Sequence, residues 1–283
     1  MVLIADSGST KTDWVLVDGE RQERFFTQGM NPVLMSENKL EEVLLSAKRQ
    51  VPTAGRLRVF FYGAGCREDV IPKMELAIIR VFQPMNGEEL EVKVQSDLMA
   101  AARALCGRQE GIACILGTGV NSCLFDGERI VANTPPLGFI LGDEGSGAVL
   151  GKLFVNALYK GRLPILLRRE FEEVMNQSLS AIIQRVYREP MPNRFLASFA
   201  PFIQTHLDVP EVADLCIENF QLFFRYNINP YQRHDLRVNA VGSVAFHFSD
   251  LLHEAARKEG YEMGLIVKSP MEGLVDYHQS VIS

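Results

Sequence analysis

Residues 111–134, GIACILGTGVNSCLFDGERIVANT, read as three strands in succession. An apolar run enters a Gly/Thr turn, a second strand closes on Asp126-Gly127, and a third follows at 129–134. Residues 1–29 have the same plan. MVLIAD (1–6) runs into a Gly/Ser/Thr turn, TDWVLVDG (12–19) closes on Asp18-Gly19, and ERFFTQG (23–29) completes the meander. Asp-Gly suits a type I′ hairpin turn, because both central residues must take positive φ. Gly8 and Gly117 stand 109 residues apart, and Asp18 and Asp126 stand 108 apart. Further on, LRVFFYGAG (57–65) and LRVNAVGS (236–243) are strands entering glycine turns, and LEVKVQSD (90–97) and GLIVKSP (264–270) are matching last strands. Paired features in one order along the chain predict an internal duplication.

Helical periods fill the gaps. Leu40, Val43, Leu44, Ala47 and Val51 share a face, with Ser36 placed to cap. Met74, Ile78 and Val81 share another, with Pro72 tolerable in the first turn. LMAAARALCG (98–107) is a short helix stopped by Gly107. A helix-rich stretch spans about 145–235, a single helix is expected over 244–258, and a last one over 271–281.

Composition sets limits. The 283 residues are 47% apolar and 23% charged, enough for true cores and too long for one small domain. A net charge of −6 argues against a nucleic-acid partner, which needs a basic surface to displace counterions. MVLIADSG lacks a basic leader region and no run of 18 apolar residues occurs, so neither a signal peptide nor a membrane span is expected. Five cysteines, at 66, 106, 114, 123 and 216, include no CxxC pair. That scatter fits a reduced, cytoplasmic protein with core cysteines, and the five histidines show no ligand spacing.

The turn ADSGSTKTD (5–13) is not a P-loop, since Lys11 follows Thr10 and a strand rather than a helix comes next. A Gly/Ser/Thr hairpin between strands is nonetheless another way to offer backbone N–H groups and hydroxyls to phosphate. LGTGVNS (116–122) has the same chemistry, so two duplicated lobes would present two phosphate hairpins. Gly107 and Gly111 bracket the junction and are the expected hinge for closure on ligands.

ADSGSTKTD, SDLMAAA (96–102), ILGTGVNS (115–122), LGFILGDEGSG (137–147) and NAVGSVA (239–245) occur in the order of the acetate/sugar kinase, heat-shock protein and actin superfamily. The chain most resembles the N-acetylglucosamine kinase and BadF/BadG/BcrA/BcrD-type ATPase branch, over everything but about 160–235. The resemblance implies an α/β, duplicated ribonuclease-H-like (actin-like ATPase) fold: two lobes, 1–108 and 109–283, a central cleft for ATP and substrate, and a helical insertion at about 160–235. It implies phosphoryl transfer from ATP, with Mg²⁺, to a hydroxyl of N-acetylglucosamine or a related amino sugar. A homodimer stays open.

The resemblance places the catalytic aspartate at Asp97; the position alone also suits a helix N-cap. Asp6 would hold Mg²⁺ through water, or be a turn residue. Gly8, Ser9, Thr10 and Lys11 would meet the phosphates on one side and Gly117, Thr118 and Gly119 on the other. Gly242 and Ser243 would take adenine, where a glycine admits a flat base. Asn31, Thr118, Asn121 and Asp143 would line the sugar pocket, although Asn31 also suits a turn before Pro32, and Asp143 or Glu144 could cap the following helix. Related N-acetylglucosamine kinases carry an aromatic residue where this chain has Leu137, which weakens the case for that sugar but not for sugar phosphorylation. Two other readings remain: an ATPase activating a partner enzyme through a shared iron–sulfur cluster, and a nucleotide-controlled binding module.

Overall fold

Strand β1 (Val2–Ser7) is buried on both faces, and its alternating residues belong to two different cores. The computed structural model describes residues 1–8, 10–52, 55–83 and 89–279. β1, β2 (Lys11–Asp18) and β3 (Arg21–Gln28) form an antiparallel meander. β4 (Leu57–Gly63) and β5 (Leu90–Ser96) join in parallel on the other side of β1, giving the order β3-β2-β1-β4-β5. The crossover helices are α1 (Glu37–Lys48) and α2 (Ile71–Phe82), and α3 (Asp97–Cys106) leaves β5. Leu3, Ala5, Trp14 and Leu16 pack with Leu40 and Leu44 of α1 and Met74 and Ile78 of α2. Val2, Ile4, Val15 and Val17 face the opposite way, toward Ala100 of α3. A strand covered on both sides must be apolar at successive positions, which is why VLIA runs without a break. Ser36 caps α1 as expected, accepting from the Lys39 amide.

The second sheet repeats the first. β6 (Gly111–Leu116), β7 (Val120–Phe125) and β8 (Ile130–Ala132) are antiparallel, and β9 (Val238–Val241) and β10 (Met263–Val267) add in parallel, in the order β8-β7-β6-β9-β10. The ribonuclease-H-like sheet is thus present twice. Where unit one has α1 alone between its third and fourth strands, unit two has seven helices. They are α4 (Gly138–Leu141), α5 (Gly147–Tyr159), α6 (Ile165–Met175), α7 (Leu179–Arg188), α8 (Pro192–Ala197), α9 (Ala200–Gln204) and α10 (Pro210–Phe223). Phe171 is wedged among Phe154, Phe199 and Phe202, with ring centroids 5.1–5.5 Å apart and edge-on geometry throughout. After α10 come a π-helical turn, Phe224–Ile228, and a 3₁₀ turn, Asn229–Tyr231. α11 (Ser243–His247) and α12 (Ser249–Lys258) connect β9 to β10, and α13 (Met271–Gln279) follows.

Three expectations change. The β2–β3 loop is Gly19-Glu20, and Gly19 alone takes positive φ (60°), which is the pattern of a type II′ turn rather than I′. The helix expected over 244–258 is two helices, broken at Phe248 (φ −115°, ψ 25°), whose ring is buried in the core. The last helix groups with the first unit and not with 109–269, where the sequence put it. The compact units are Met1–Arg108 with Pro270–Ser283, and Gln109–Ser269. Met271, Leu274 and Val275 fill the α3 side of the first sheet, and Gly273 lies so close to α3 that a Cβ there would sit 2.3 Å from the Ala104 carbonyl oxygen. Among the described residues no helix is long and apolar enough to cross a membrane.

Candidate active site

In the first unit, β1 delivers Asp6 and Ser7 to the hairpin, where the Gly8 amide donates to the Lys11 carbonyl at 3.0 Å. Ser9 lies outside the described residues. The hairpin is tied to the end of β3. Buried Ser7 Oγ lies 2.7 Å from Thr12 Oγ1 and accepts from the Met30 amide at 2.9 Å, while the Gly29 amide donates to the Thr10 carbonyl at 2.9 Å. Gly29, which the sequence reading passed over, is the contact point: a Cβ there would stand 2.3 Å from Gly8 O and 2.6 Å from Thr10 N. Only a glycine lets the backbones approach this closely.

Asp6 pairs in register with Asp13, so both carboxyls point to the α3 face of the sheet. Asp13 is neutralised by a forked contact with Arg24, 2.9 Å from Nε to Oδ1 and 2.5 Å from NH2 to Oδ2. Lys11 does not reach toward its own hairpin; its ammonium stands 4.1 Å from the centre of the Phe26 ring. Asp97 is the first residue of α3, but the cap is Ser96, whose Oγ accepts from the Met99 amide at 3.2 Å. Asp97 Oδ1 accepts from the Leu98 amide at 2.9 Å. Burial raises the Asp97 pKa, against the lowering effect of the backbone amides. Asp6 is raised to about 7, chiefly by burial, then by the charges of Asp97 and Asp13, with Lys11 opposing. Burial and the Asp97 charge also push the Cys66 thiol up to about 12, so it is inert. Asn31 takes up the turn role: its Oδ1 accepts from the Val33 amide at 3.0 Å and lies against Gly65, where a Cβ would be 2.5 Å away.

In the second unit, the hairpin Gly117–Gly119 closes with the Gly117 amide donating to the Gly119 carbonyl at 3.0 Å. The start of α5 docks on it. The Gly147 amide donates to Gly117 O at 2.8 Å and the Ala148 amide to Thr118 O at 3.2 Å, which uses N–H groups that a helix start leaves unpaired. Neither Asp143 nor Glu144 caps α5; buried Ser146 does, accepting from the Val149 amide at 3.1 Å. Asp143 therefore needs another explanation. It sits at φ 59°, a region a non-glycine residue seldom adopts, and holds the Gly138 amide at 3.1 Å through Oδ1. Its other oxygen lies against Gly119, 3.1 Å from where a Cβ would be. Burial, then the Glu144 charge, raises its pKa against the Gly138 amide and Lys152. Asn121 Oδ1 accepts from the Ser122 amide at 3.0 Å and from Asn133 Nδ2 at 2.9 Å, so its own amide nitrogen is the group it can offer a ligand. Asn133 is a second residue that sequence reasoning missed.

Beside this hairpin is a mainly apolar cavity of about 240 Å³, lined among others by Gly117, Thr118, Ser198, Gln204, Ser243 and His247. One wall, Ala197–Gln204, comes from the helical insertion, whose role the sequence left blank. Ser243 lines the cavity, but Gly242 is glycine for another reason. At φ 128° it lies against β6, where a Cβ would stand 2.3 Å from the Leu116 carbonyl oxygen.

No family model and no curated protein matches the chain. Solved structures do. A protein of Porphyromonas gingivalis, provisionally named an N-acetylglucosamine kinase, is 46% identical over 100% of both chains, with a TM-score of 0.94. A Chromobacterium violaceum protein with the same provisional name is 19% identical over 98% of both chains, with a TM-score of 0.71. A ROK-family glucokinase of Streptomyces griseus, solved with glucose and AMPPNP, is 14% identical over 98% of both, with a TM-score of 0.58. The last two share the fold. Identity of 46% along the whole length, on top of one sheet topology built twice, shows more: the chain belongs to the N-acetylglucosamine kinase family.

Proposed function

We propose that the chain is an ATP-dependent sugar kinase, acting on N-acetylglucosamine or a related amino sugar, with Asp97 as general base. The observation that carries this reading is the pair Asp6 and Asp97. Both side chains are half-buried, Asp6 on the α3 face of the sheet and Asp97 at the start of α3. Removal from water raises both pKa values, the charge of Asp97 is felt at Asp6, and Asp97 is not needed to cap its helix. Such an arrangement is costly to the fold and is characteristic of sites that do chemistry. A raised pKa also makes Asp97 a better proton acceptor near neutral pH. In phosphoryl transfer the protein orients the attacking hydroxyl and takes its proton as the new P–O bond forms. Asp97 suits that task, and asymmetry supports it: the second repeat has Pro270 at the matching position.

The donors fit Mg²⁺. Among the described residues no three or more His, Cys, Asp or Glu side chains gather into a metal cage. Asp6 instead offers one hard oxygen site, which suits an ion that keeps several waters and leans on substrate phosphates. When bound, Mg²⁺ would neutralise charge on the phosphates. Each hairpin taken by itself, that at Gly8 and Thr10 in the first unit and that at Gly117–Gly119 in the second, would offer a turn suited to phosphate, and the 240 Å³ cavity of the second unit would take the adenosine. Asp143, freed from capping, and Asn121, oriented by Asn133, would accept from and donate to sugar hydroxyls. Leu137, 58% exposed beside the Asp143 loop, leaves no flat ring there to stack on an acetamido group.

The cysteines give no support to a cluster-bearing activator. Cys114 and Cys123 are fully buried, and burial pushes Cys216 to about 12, as it does Cys66. The test is a coupled ADP-release assay over N-acetyl sugars, amino sugars and plain hexoses. Sugar-dependent ADP release with one of the first two classes is the expected result. ADP release unchanged by any sugar would refute the proposal.

A further inference from the structure

The insertion helix α10 presents Asn219 and Phe223, one turn apart, to a single residue of the GDEGSG loop. Asn219 is fully buried, and its Oδ1 accepts the Gly145 amide at 3.0 Å. Phe223, also fully buried, lies against the bare Cα of Gly145, where a Cβ would be 2.8 Å from Phe223 Cβ. Gly145 takes φ 87°, so it needs both its missing side chain and its pinned amide. On one side of it stands Asp143, and on the other the cap Ser146, whose amide donates to Asp143 O at 2.9 Å. From Ser146 onward, α5 carries the amides that hold Gly117 and Thr118. One buried hydrogen bond therefore sits where the carboxylate loop joins the helix that supports the hairpin.

We infer that Asn219 is a positioning residue for sugar binding: through Gly145 it holds Asp143 in its left-handed conformation, with the carboxylate aimed for substrate. This rests on the reading of Asp143 as a sugar ligand. A buried side chain that touches no substrate acts in this way by limiting the arrangements of the group that does. The Asn219 Nδ2 atom has no hydrogen-bond partner, so the acceptor oxygen is the useful half of the amide. An aspartic acid at this position retains that oxygen, whereas leucine, with the same branched skeleton but no acceptor, leaves the Gly145 amide buried and unpaired.

The test measures steady-state kinetics of Asn219→Leu, Asn219→Asp and Asp143→Ala, with thermal unfolding of each. Asn219→Leu is expected to raise the sugar KM about tenfold or more while the ATP KM stays within about twofold, and Asn219→Asp to recover most of the loss. If Asp143→Ala raises the sugar KM but folded Asn219→Leu does not, the positioning role is overturned and the sugar-ligand reading stands. If Asp143→Ala leaves the sugar KM unchanged, the sugar-ligand reading fails, and this inference with it. Equal rises in both KM values for Asn219→Leu would also overturn it, as a general folding defect. Amide exchange in the unsubstituted protein gives an independent check should the variants not fold. Gly145 is expected to exchange as slowly as the amides of α5, and fast exchange overturns the inference.

Discussion

Asp6 and Asp97, the first residue of α3, are electrostatically linked: burial raises the Asp6 pKa most, and the charge of Asp97, then that of Asp13, adds to it, to about 7 against the pull of Lys11. In the folded state Asp6 therefore binds a proton that the unfolded chain releases near pH 4. Between roughly pH 4 and 7 the native state holds more proton at this one carboxyl than the unfolded state does, so the contribution of Asp6 to stability falls as pH rises through that window. Buried His278, lowered to about 3, contributes with the opposite sign up to about pH 6.5. The ionised form, which a Mg²⁺ site requires, is the less stable one.

Asp6→Asn removes that titration. Its melting temperature is expected to exceed the parent's at pH 8, by the equivalent of ~2–4 kcal/mol, and to match it near pH 4. Kinase activity should be lost at both pH values. Calorimetry at the two pH values checks this, and an unchanged melting temperature at pH 8 would contradict the placement of Asp6. In the parent, kcat/KM for ATP should decline as pH drops below about 7.

Asp97→Asn keeps the shape and the Ser96 cap but removes the proton acceptor. Turnover is expected to fall by roughly 10²–10⁴-fold. Binding of a non-hydrolysable ATP analogue, followed by calorimetry, should be nearly unchanged. Turnover close to the parent's would end the general-base assignment.

Asp143→Gly separates function from stability. Glycine accepts φ 59° without strain, which offsets the lost bond from the Gly138 amide, so the melting temperature should stay within the equivalent of ~1 kcal/mol of the parent's. The sugar KM should rise at least about tenfold, since glycine offers hydroxyl groups nothing. A loss of stability together with an unchanged sugar KM would make Asp143 purely structural.

Gln204→Trp places a bulky ring in the wall that the insertion lends to the 240 Å³ cavity. The ATP KM is expected to rise about tenfold or more, with the sugar KM within about twofold of the parent's. The reverse pattern would assign the cavity to the sugar.

The strands, their succession along the chain and the faces of α1 and α2 were readable in the sequence because each rests on local periodicity, whereas the sheet architecture came only as what the family resemblance implies. Leu40, Val43, Leu44 and Ala47 are buried as their spacing requires. Asp97 and Asp143 stood out in the sequence, but whether either caps its helix was not open to sequence, since Ser96 and Ser146 are equally good caps one and three residues away. Gly29 and Asn219 were missed for a different reason. Gly29 matters only where β3 folds back on Gly8, and Asn219 only where α10 meets Gly145, 74 residues earlier. Contacts of that range leave no periodic trace. The break at Phe248 belongs with them, because an aromatic side chain drawn into the core overrode an unbroken helical pattern.

The return of α13 to the first sheet has a consequence for synthesis on the ribosome. Residues 109–269 are contiguous and can complete their own sheet as soon as they emerge. The first sheet cannot: Val2, Ile4, Val15 and Val17 wait for Met271, Leu274 and Val275. The unit translated first is thus finished last, and for most of translation it shows an apolar sheet face that α3 covers only in part. A released chain ending at residue 269 would carry a complete second sheet joined to a first one whose apolar face lacks the cover of α13.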